Sequence, residues 1–495
     1  MTRALILLVP VLCLGAAELR LLTPEARVGE MVEWELVDAG PAALDVTANP
    51  TLNIGTGSAA VSRPAFAYQP WLMADIETNG EHEFAVQGGL SLRIRHSFRM
   101  AGDHSLVLTD ASGAELLRDT ITVAANPDSH GVITVSPHNP RLLAYSDGTP
   151  YMPIGCNLAW GTRPDRLATV TRYLDRLAAA GGNHIRLWCA SWCGSVEGDQ
   201  ADNYRLEQAW LLDQILDAAR ARHISVMLVL DNHYDLTHGK AFPYGATGQE
   251  RAETFINPIL SPQYQRRVRY LLARYGANDA IMAWELFNEI DIALRDNLGD
   301  FDHSELGTAW AEAAASFINA HDPDHRLTTI SLSHSVWTRL FAADAIDLVQ
   351  VHNYVPTYGV MSPFHHDGVA LLEDALMPYG DLGKPIAASE VGHHGTEQVN
   401  PGNELDADGA LLRHQAWAGL LLGGYGSGMN WWWDVYIDRN DLWAAYTPMA
   451  KIVSTINWRD PSLQPLRPNV GSSLRIIGWR SRDQALLWPQ SRQDT

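Results

Sequence analysis

Cysteine is nearly absent from this chain. Four occur in 495 residues, and one of them, Cys13, falls in the apolar run at the N-terminus. The other three, Cys156, Cys189 and Cys193, allow at most one intramolecular bridge, which excludes a small fold framed by disulfides. Cys189 and Cys193 are the pair that proximity would join. Their spacing matches no zinc motif, and buried thiols with at most one bridge are the simplest account. Three further things are missing. There is no low-complexity tract, no Gly-rich phosphate loop after an early strand, and no run of about 18 apolar residues beyond the N-terminus. These absences argue against a disordered scaffold, a dinucleotide-binding sheet and a membrane span. Positive charge is also scarce. Lys and Arg number 36 against 57 Asp and Glu, a net charge of −21. Such a chain repels nucleic acid and anionic membranes, and it suits a neutral substrate better than a polyanionic one.

Aromatic rings are plentiful, with 17 Trp and 16 Tyr. They can build a core, and they also offer rigid apolar faces with a polar handle, suited to stacking on sugars. At the N-terminus, Thr2-Arg3 is followed by apolar residues 4–14 and by Gly15-Ala16-Ala17. This reads as a secretory signal cleaved after Ala17, too short to span a bilayer, and it implies a secreted or periplasmic protein.

Four zones are expected: a signal peptide over residues 1–17, a β-sandwich over 18–130, a catalytic barrel over 131–460 and a β segment over 461–495. In the second zone, alternating runs such as Met31-Val32-Glu33-Trp34-Glu35-Leu36 and Leu90-Ser91-Leu92-Arg93-Ile94 are separated by turn residues, the pattern of a sandwich. Asn126-Pro127-Asp128-Ser129-His130-Gly131 reads as a linker. Beyond it, strands at 152–155, 184–188, 224–230, 281–287, 327–332, 348–351, 385–389 and 428–432 alternate with helices. The helices fall at 165–180, 204–222, 262–275, 304–320, near 336–343, and at 369–377, 407–422 and 447–456. Eight strand–helix pairs predict an α/β fold of the (β/α)8 TIM-barrel class, whose active sites gather at the C-terminal ends of the strands. After residue 461, 473–479 and 485–488 predict a hairpin. Two strands alone are marginal in water, so they either pack on the barrel or open a β-domain that the chain does not finish.

The sharpest motif is Trp284-Glu285-Leu286-Phe287-Asn288-Glu289, where an apolar strand four runs into Asn-Glu. The second is Ile386-Ala387-Ala388-Ser389-Glu390, where strand seven ends in a lone Glu. Either glutamate alone reads equally well as half of a buried ion pair. Strands four and seven, however, lie across a barrel from one another. Two carboxyls facing over a sugar-sized gap suit glycosidic cleavage: one protonates the leaving oxygen, and the other attacks the anomeric carbon or activates water.

On these motifs, the stretch from about Tyr151 to Trp458 resembles glycoside hydrolase family 5 and its relatives among the retaining TIM-barrel glycosidases. In that clan an acid/base Glu follows an Asn at the end of strand four and a nucleophilic Glu ends strand seven. Asn288-Glu289 and Glu390 match these positions. The resemblance implies further roles. Arg186, in Asn183-His184-Ile185-Arg186-Leu187, would hydrogen-bond the nucleophile and hold Glu390 ionised. His233, in Asp231-Asn232-His233, would line the subsite, and Asn288 would bind the 2-hydroxyl. His352-Asn353-Tyr354 resembles the His-x-Tyr element whose hydroxyl sits by the nucleophile. Trp431-Trp432-Trp433 resembles the strand-eight Trp that floors the sugar site. Alternation lets only one or two of the rings face the mouth, and Trp432 is the choice. Trp160, Trp188 and Trp192, at the ends of strands one and two, are candidate stacking platforms or loop packing.

Two features depart from the family pattern. Ile290-Asp291 stands where family 5 often carries Pro after Asn-Glu, and His393-His394 follow the nucleophile as extras. The N-terminal β-domain, with Asp147-Gly148-Thr149-Pro150-Tyr151 after it, resembles the sandwich preceding several bacterial cellulase-like or mannanase-like barrels.

The expected activity is retaining hydrolysis of a β-linked poly- or oligosaccharide, β-mannan or β-glucan first. No cofactor, metal or nucleic-acid partner is implied, and the oligomeric state stays open. The competing readings are a non-catalytic carbohydrate-binding protein, a transglycosylase, and a metal-dependent hydrolase built on His233, His352, His393 and His394. The first would not need Glu289, Glu390 and Arg186 all intact, and the last lacks a His-x-His on strand one. The sugar is not legible, because specificity sits in loops such as 189–203 and 234–255.

Overall fold

The computed structural model describes residues 17–491 apart from 39, 58–59, 76–81, 162–164, 258, 301, 334, 357–366, 397–398 and 472. The expected signal peptide lies outside the described residues except for Ala17.

The N-terminal zone holds two four-stranded antiparallel sheets and the hairpin of Trp71–Asp75 with His82–Val86. Strand Met31–Val37 buries Val32, Trp34 and Leu36 and turns Glu33 and Glu35 to the other face, where they pair with Arg95 and Arg20. It lies between Glu18–Leu21 and Ser91–Ser97, and the latter pairs with Phe66–Tyr68. The second sheet runs Glu115–Val123, Gly102–Thr109, Thr51–Ile54, Val61–Pro64. Side chains from both, among them Val32, Trp34, Leu52, Ile94, Leu106 and Leu108, form a core of their own.

The barrel follows. Strands one to four are Gly155–Asn157, His184–Trp188, Ser225–Val229 and Ile281–Glu285, in parallel register with Leu327–Thr329. Strand five breaks at Ile330 and resumes as Ser331–Leu332, beside strand six (Val349–Val355) and strand seven (Ile386–His393). Closure runs through residues 429–431. Toward strand seven, Met429 N–H donates to Ala388 O at 2.9 Å, Val391 N–H to Met429 O at 3.0 Å and Trp431 N–H to Val391 O at 2.9 Å; toward strand one, Asn157 N–H donates to Asn430 O at 3.0 Å. The expected strand eight over 428–432 thus pairs on both flanks, as a short bridged stretch. Asn430 Oδ1 takes the Trp432 N–H at 2.8 Å, and the chain then winds into the helical turn Trp433–Asp438. Strand one begins three residues later than expected. Pro153 has no N–H to give, and Ile154 N–H donates to the Asn183 side chain at 2.8 Å, so the ladder starts at Gly155.

The barrel floor is plugged. Ile133–Val135, Leu143–Tyr145 and Pro150–Tyr151 form a small antiparallel sheet. Its Ile133, Leu143 and Tyr151 pack on Met227, Met282, Leu327 and Leu348 from the first halves of the strands. Only the opposite end is left for a site. The C-terminal hairpin gains a third strand (Gln464–Leu466, Leu474–Arg480, Ala485–Ser491) and packs on the barrel. Trp479 is fully buried there and donates to Leu420 O of helix Ala410–Leu421 at 2.8 Å.

Sandwich and barrel are joined by buried charge. Arg95 Nη1 donates to Asp213 Oδ1 at 2.6 Å, and Arg274 Nη2 donates to Asp213 Oδ2 at 2.6 Å. Burial pushes the Asp213 carboxyl up, but Arg274 and Arg95 together hold it below its ordinary value. A second set, Arg63, Arg99 and Arg326, converges on Asp324. The three described cysteines are free buried thiols, Cys189 and Cys193 included. Among the described residues no helix is long and apolar enough to cross a membrane.

Candidate active site

Strand two is buried along its length, and alternation turns His184, Arg186 and Trp188 to one face. Arg186 is wholly buried, so every donor needs a partner. It spends Nε and Nη2 on Glu285, at 2.7 and 2.6 Å. Nη1 donates to Glu390 Oε1 at 2.6 Å and to Asn157 Oδ1 at 3.1 Å, while Nη2 also reaches Asn288 Oδ1 at 2.6 Å. One guanidinium thus ties strands one, two, four and seven together at the barrel mouth.

The chain leaves strand four in an unusual conformation. Asn288 N–H donates to Asp231 O at 2.8 Å, and the next residue, Glu289, sits at φ 55°, ψ 56°. A left-handed backbone costs a non-glycine residue about 1–2 kcal/mol. It is held by Ser331 Oγ, which accepts from Glu289 N–H at 3.1 Å, and by the helix Ile290–Leu298 that begins at once. The turn aims the Glu289 carboxyl at strand six. His352 Nδ1 lies 2.8 Å from Glu289 Oε1 and 3.4 Å from Glu390 Oε2. Ligand atoms of Glu289, His352 and Glu390 all fall within 4.8 Å of one another. Tyr354 O–H donates to Glu390 Oε2 at 2.6 Å. On the other flank, Asn288 Nδ2 donates to His233 Nδ1 at 3.0 Å, and that nitrogen is 3.5 Å from Glu289 Oε2.

The electrostatics differ from the sequence expectation in one respect. Arg186 does donate to Glu390, yet burial, together with the charge of Glu289, outweighs the help of His352, Arg186 and Tyr354 and leaves the Glu390 carboxyl above its ordinary value. The reason is sharing. Glu285 takes two of the Arg186 hydrogen bonds and is held below its ordinary value against its own burial. Burial drives His352 down to about 4, so its ring is neutral at neutral pH. Burial also pushes the Tyr354 hydroxyl well up, keeping it a proton donor.

The expected residues fall as follows. Arg186, Asn288, Glu289, His352, Tyr354 and Glu390 converge, and His233 joins through Asn288. Trp432 is buried and donates from Nε1 to His393 O at 2.8 Å. A side chain at Gly392 (φ 150°) would come within 3.0 Å of its ring. Its neighbour Trp431 instead joins an aromatic wall, 4.9 Å from Trp188 and 5.6 Å from Trp160. The four histidines weighed for a metal do not gather: His393 faces Asp406 at 3.5 Å. Sequence reasoning missed Glu285, Asn157 and Ser331. Glu285 carried a usable signal, a charge inside a strand whose five residues are all buried.

Residues 144–434, more than half of the chain, match the family model described as Cellulase (glycosyl hydrolase family 5). The chain is 25% identical over 189 residues to the mannan endo-1,4-beta-mannosidase F of Aspergillus fumigatus, covering 35% of this chain and 42% of that protein. It is 26% identical over 265 residues to the mannan endo-1,4-beta-mannosidase A of Emericella nidulans, covering 49% and 66%. The chain thus spans 42% and 66% of the lengths of these two relatives. A Bacteroides vulgatus structure provisionally described as a glycoside hydrolase superposes with a TM-score of 0.63 at 16% identity, covering 92% of this chain and 84% of that one. At that identity the likeness is one of fold.

Proposed function

The chain belongs to glycosyl hydrolase family 5, and we propose that it hydrolyses a β-linked glycan by retaining double displacement, with Glu390 as nucleophile and Glu289 as acid/base. The observation that carries this is the carboxylate pair, with oxygens of both inside 4.8 Å. An inverting site leaves room for a water between carboxyls roughly 6.5–9.5 Å apart, whereas a retaining one sets them about 5–5.5 Å apart. Glu390, oriented by Arg186 and Tyr354, attacks the anomeric carbon while the Glu289 proton passes to the leaving oxygen. The glycosidic bond breaks and a glycosyl ester forms on Glu390. Glu289, now a carboxylate, takes a proton from water. The water oxygen displaces Glu390, and the product keeps the starting configuration. Asn288 binds the 2-hydroxyl and Trp432 floors the sugar site.

The substrate we favour is β-mannan, ahead of β-glucan, because the curated relatives are named as mannan endo-1,4-beta-mannosidases. We place the protein outside the cytoplasm after removal of residues 1–17, with the sandwich over 18–130, the catalytic barrel over 131–460 and the β segment over 461–495. Wild type and Glu390→Ala on mannan, β-glucan, xylan and aryl β-glycosides test the reading. Activity in the wild type and its loss in the variant are expected. Full activity in the variant would sink the nucleophile assignment, and an inert wild type would favour a purely binding role.

A further inference from the structure

The barrel mouth carries a second concavity. An open cleft of about 540 Å³ lies between the loops that follow strands two and three, walled by Trp192, Tyr234, Arg166, Arg205 and Lys240. A chain of ring contacts links its wall to the catalytic centre. Tyr234 is 5.3 Å from Trp192, which is 6.2 Å from Trp188, which is 6.4 Å from His233 beside Glu289.

The charge of this cleft runs against the rest of the molecule. Three basic side chains line it against one acid, Asp199, in a chain whose net charge is −21. Arg205 is only loosely matched by Glu207, at 3.3 Å. Lys240 is exposed and has no ion-pair partner among the described residues. It is one of three lysines in the sequence, with Lys384 and Lys451. A neutral sugar needs only stacking faces and hydroxyl partners, whereas a cationic lining adds charge-assisted attraction for an anion. The acidic surface would also repel a polyanion before it docked.

We propose that this cleft is a subsite for one anionic sugar unit, bearing a carboxylate or a sulfate, on an otherwise neutral glycan. The inference rests on the hydrolase reading above and adds to it the class of decoration that the glycan carries. Lys240 and Arg205 stand on the two loops that flank the cleft, so loop chemistry selects the decoration while the barrel performs the cleavage.

The test uses matched oligosaccharides: a neutral backbone, the same backbone with one uronate, and the same with one sulfate. Wild type is expected to show a higher kcat/KM on at least one acidic member than on the neutral one. Exposed ion pairs are worth up to about 1 kcal/mol, so Lys240→Glu, which replaces attraction by repulsion, should cut that ratio about fivefold or more. Lys240→Gln should cut it less, and added salt should lower it in the wild type. The uronate and sulfate arms tell which anion is held. A wild-type ratio at or below one for both acids, or a ratio that Lys240→Glu leaves unchanged, would overturn the proposal. Calorimetric affinity of Glu390→Gln protein for the same set reads the cleft without turnover. Preferential binding of an acidic member with no hydrolysis by the wild type would retain the subsite and sink the hydrolase reading. Hydrolysis with no acid preference would do the reverse.

Discussion

At the seam between sandwich and barrel, one carboxylate, Asp213, lies between two guanidiniums, Arg95 and Arg274. At the barrel mouth one guanidinium, Arg186, lies between two carboxylates, Glu285 and Glu390. All six groups are buried and all four pairs are 2.6 Å long. Yet Asp213 is held below its ordinary value, and Glu390 stands above it. Burial opposes the charged form in both places, so the stoichiometry decides the sign. At the seam two guanidiniums hold the Asp213 carboxyl down, and Arg95 pairs with Glu33 as well. At the mouth, Arg186 is shared between two carboxylates, and Glu390 is left above its ordinary value.

The comparison can be broken at several points, taken from the largest effect down. Glu390→Gln should lower kcat by about a thousandfold or more, since it removes the proposed nucleophile. Asp213→Asn takes the carboxylate away from Arg274 and leaves Arg95 with Glu33 alone. It should cost about 3–5 kcal/mol in a denaturant titration, while the folded fraction stays active. Glu285→Gln makes the mouth resemble the seam, because Arg186 then serves Glu390 alone. The acid limb of kcat/KM should move to lower pH by about one unit. In the wild type that limb should lie above 4.5, the ordinary carboxyl value. Tyr354→Phe removes a donor to the charged form and should move the limb the other way, by less than a unit. His352 bears on stability rather than on rate. Its folded pKa of about 4 lies below the ordinary 6.5, so the unfolded chain binds its proton more readily. Stability should therefore fall as pH drops from 6.5 toward 4, and His352→Gln should flatten that stretch of the profile.

Much of the barrel was legible because its strands are buried on both faces and read as apolar runs. Helix Pro262–Tyr275 starts and stops as the sequence indicates, with Ser261 capping and Pro262 at the first turn. Strand one was misplaced because its pairing is set by Pro153 and Asn183, and strand eight is cut short where the Asn430 side chain takes the Trp432 N–H, effects that periodicity does not report. The short helices His233–His238 and Gly248–Ile256 lie in a loop too irregular to read. At the site, residues at strand ends were legible and those behind them were not. Glu285 was visible as a charge in an apolar strand. The service of Ser331 to the Glu289 backbone depends on a break in strand five that leaves no mark in the sequence.

The proposed double displacement by Glu289 and Glu390 predicts a stereochemical outcome, and this is where the account meets its most direct check. Proton NMR of the first product released from a β-linked glycan, recorded before mutarotation, should show the β anomer. The α anomer appearing first would contradict the account.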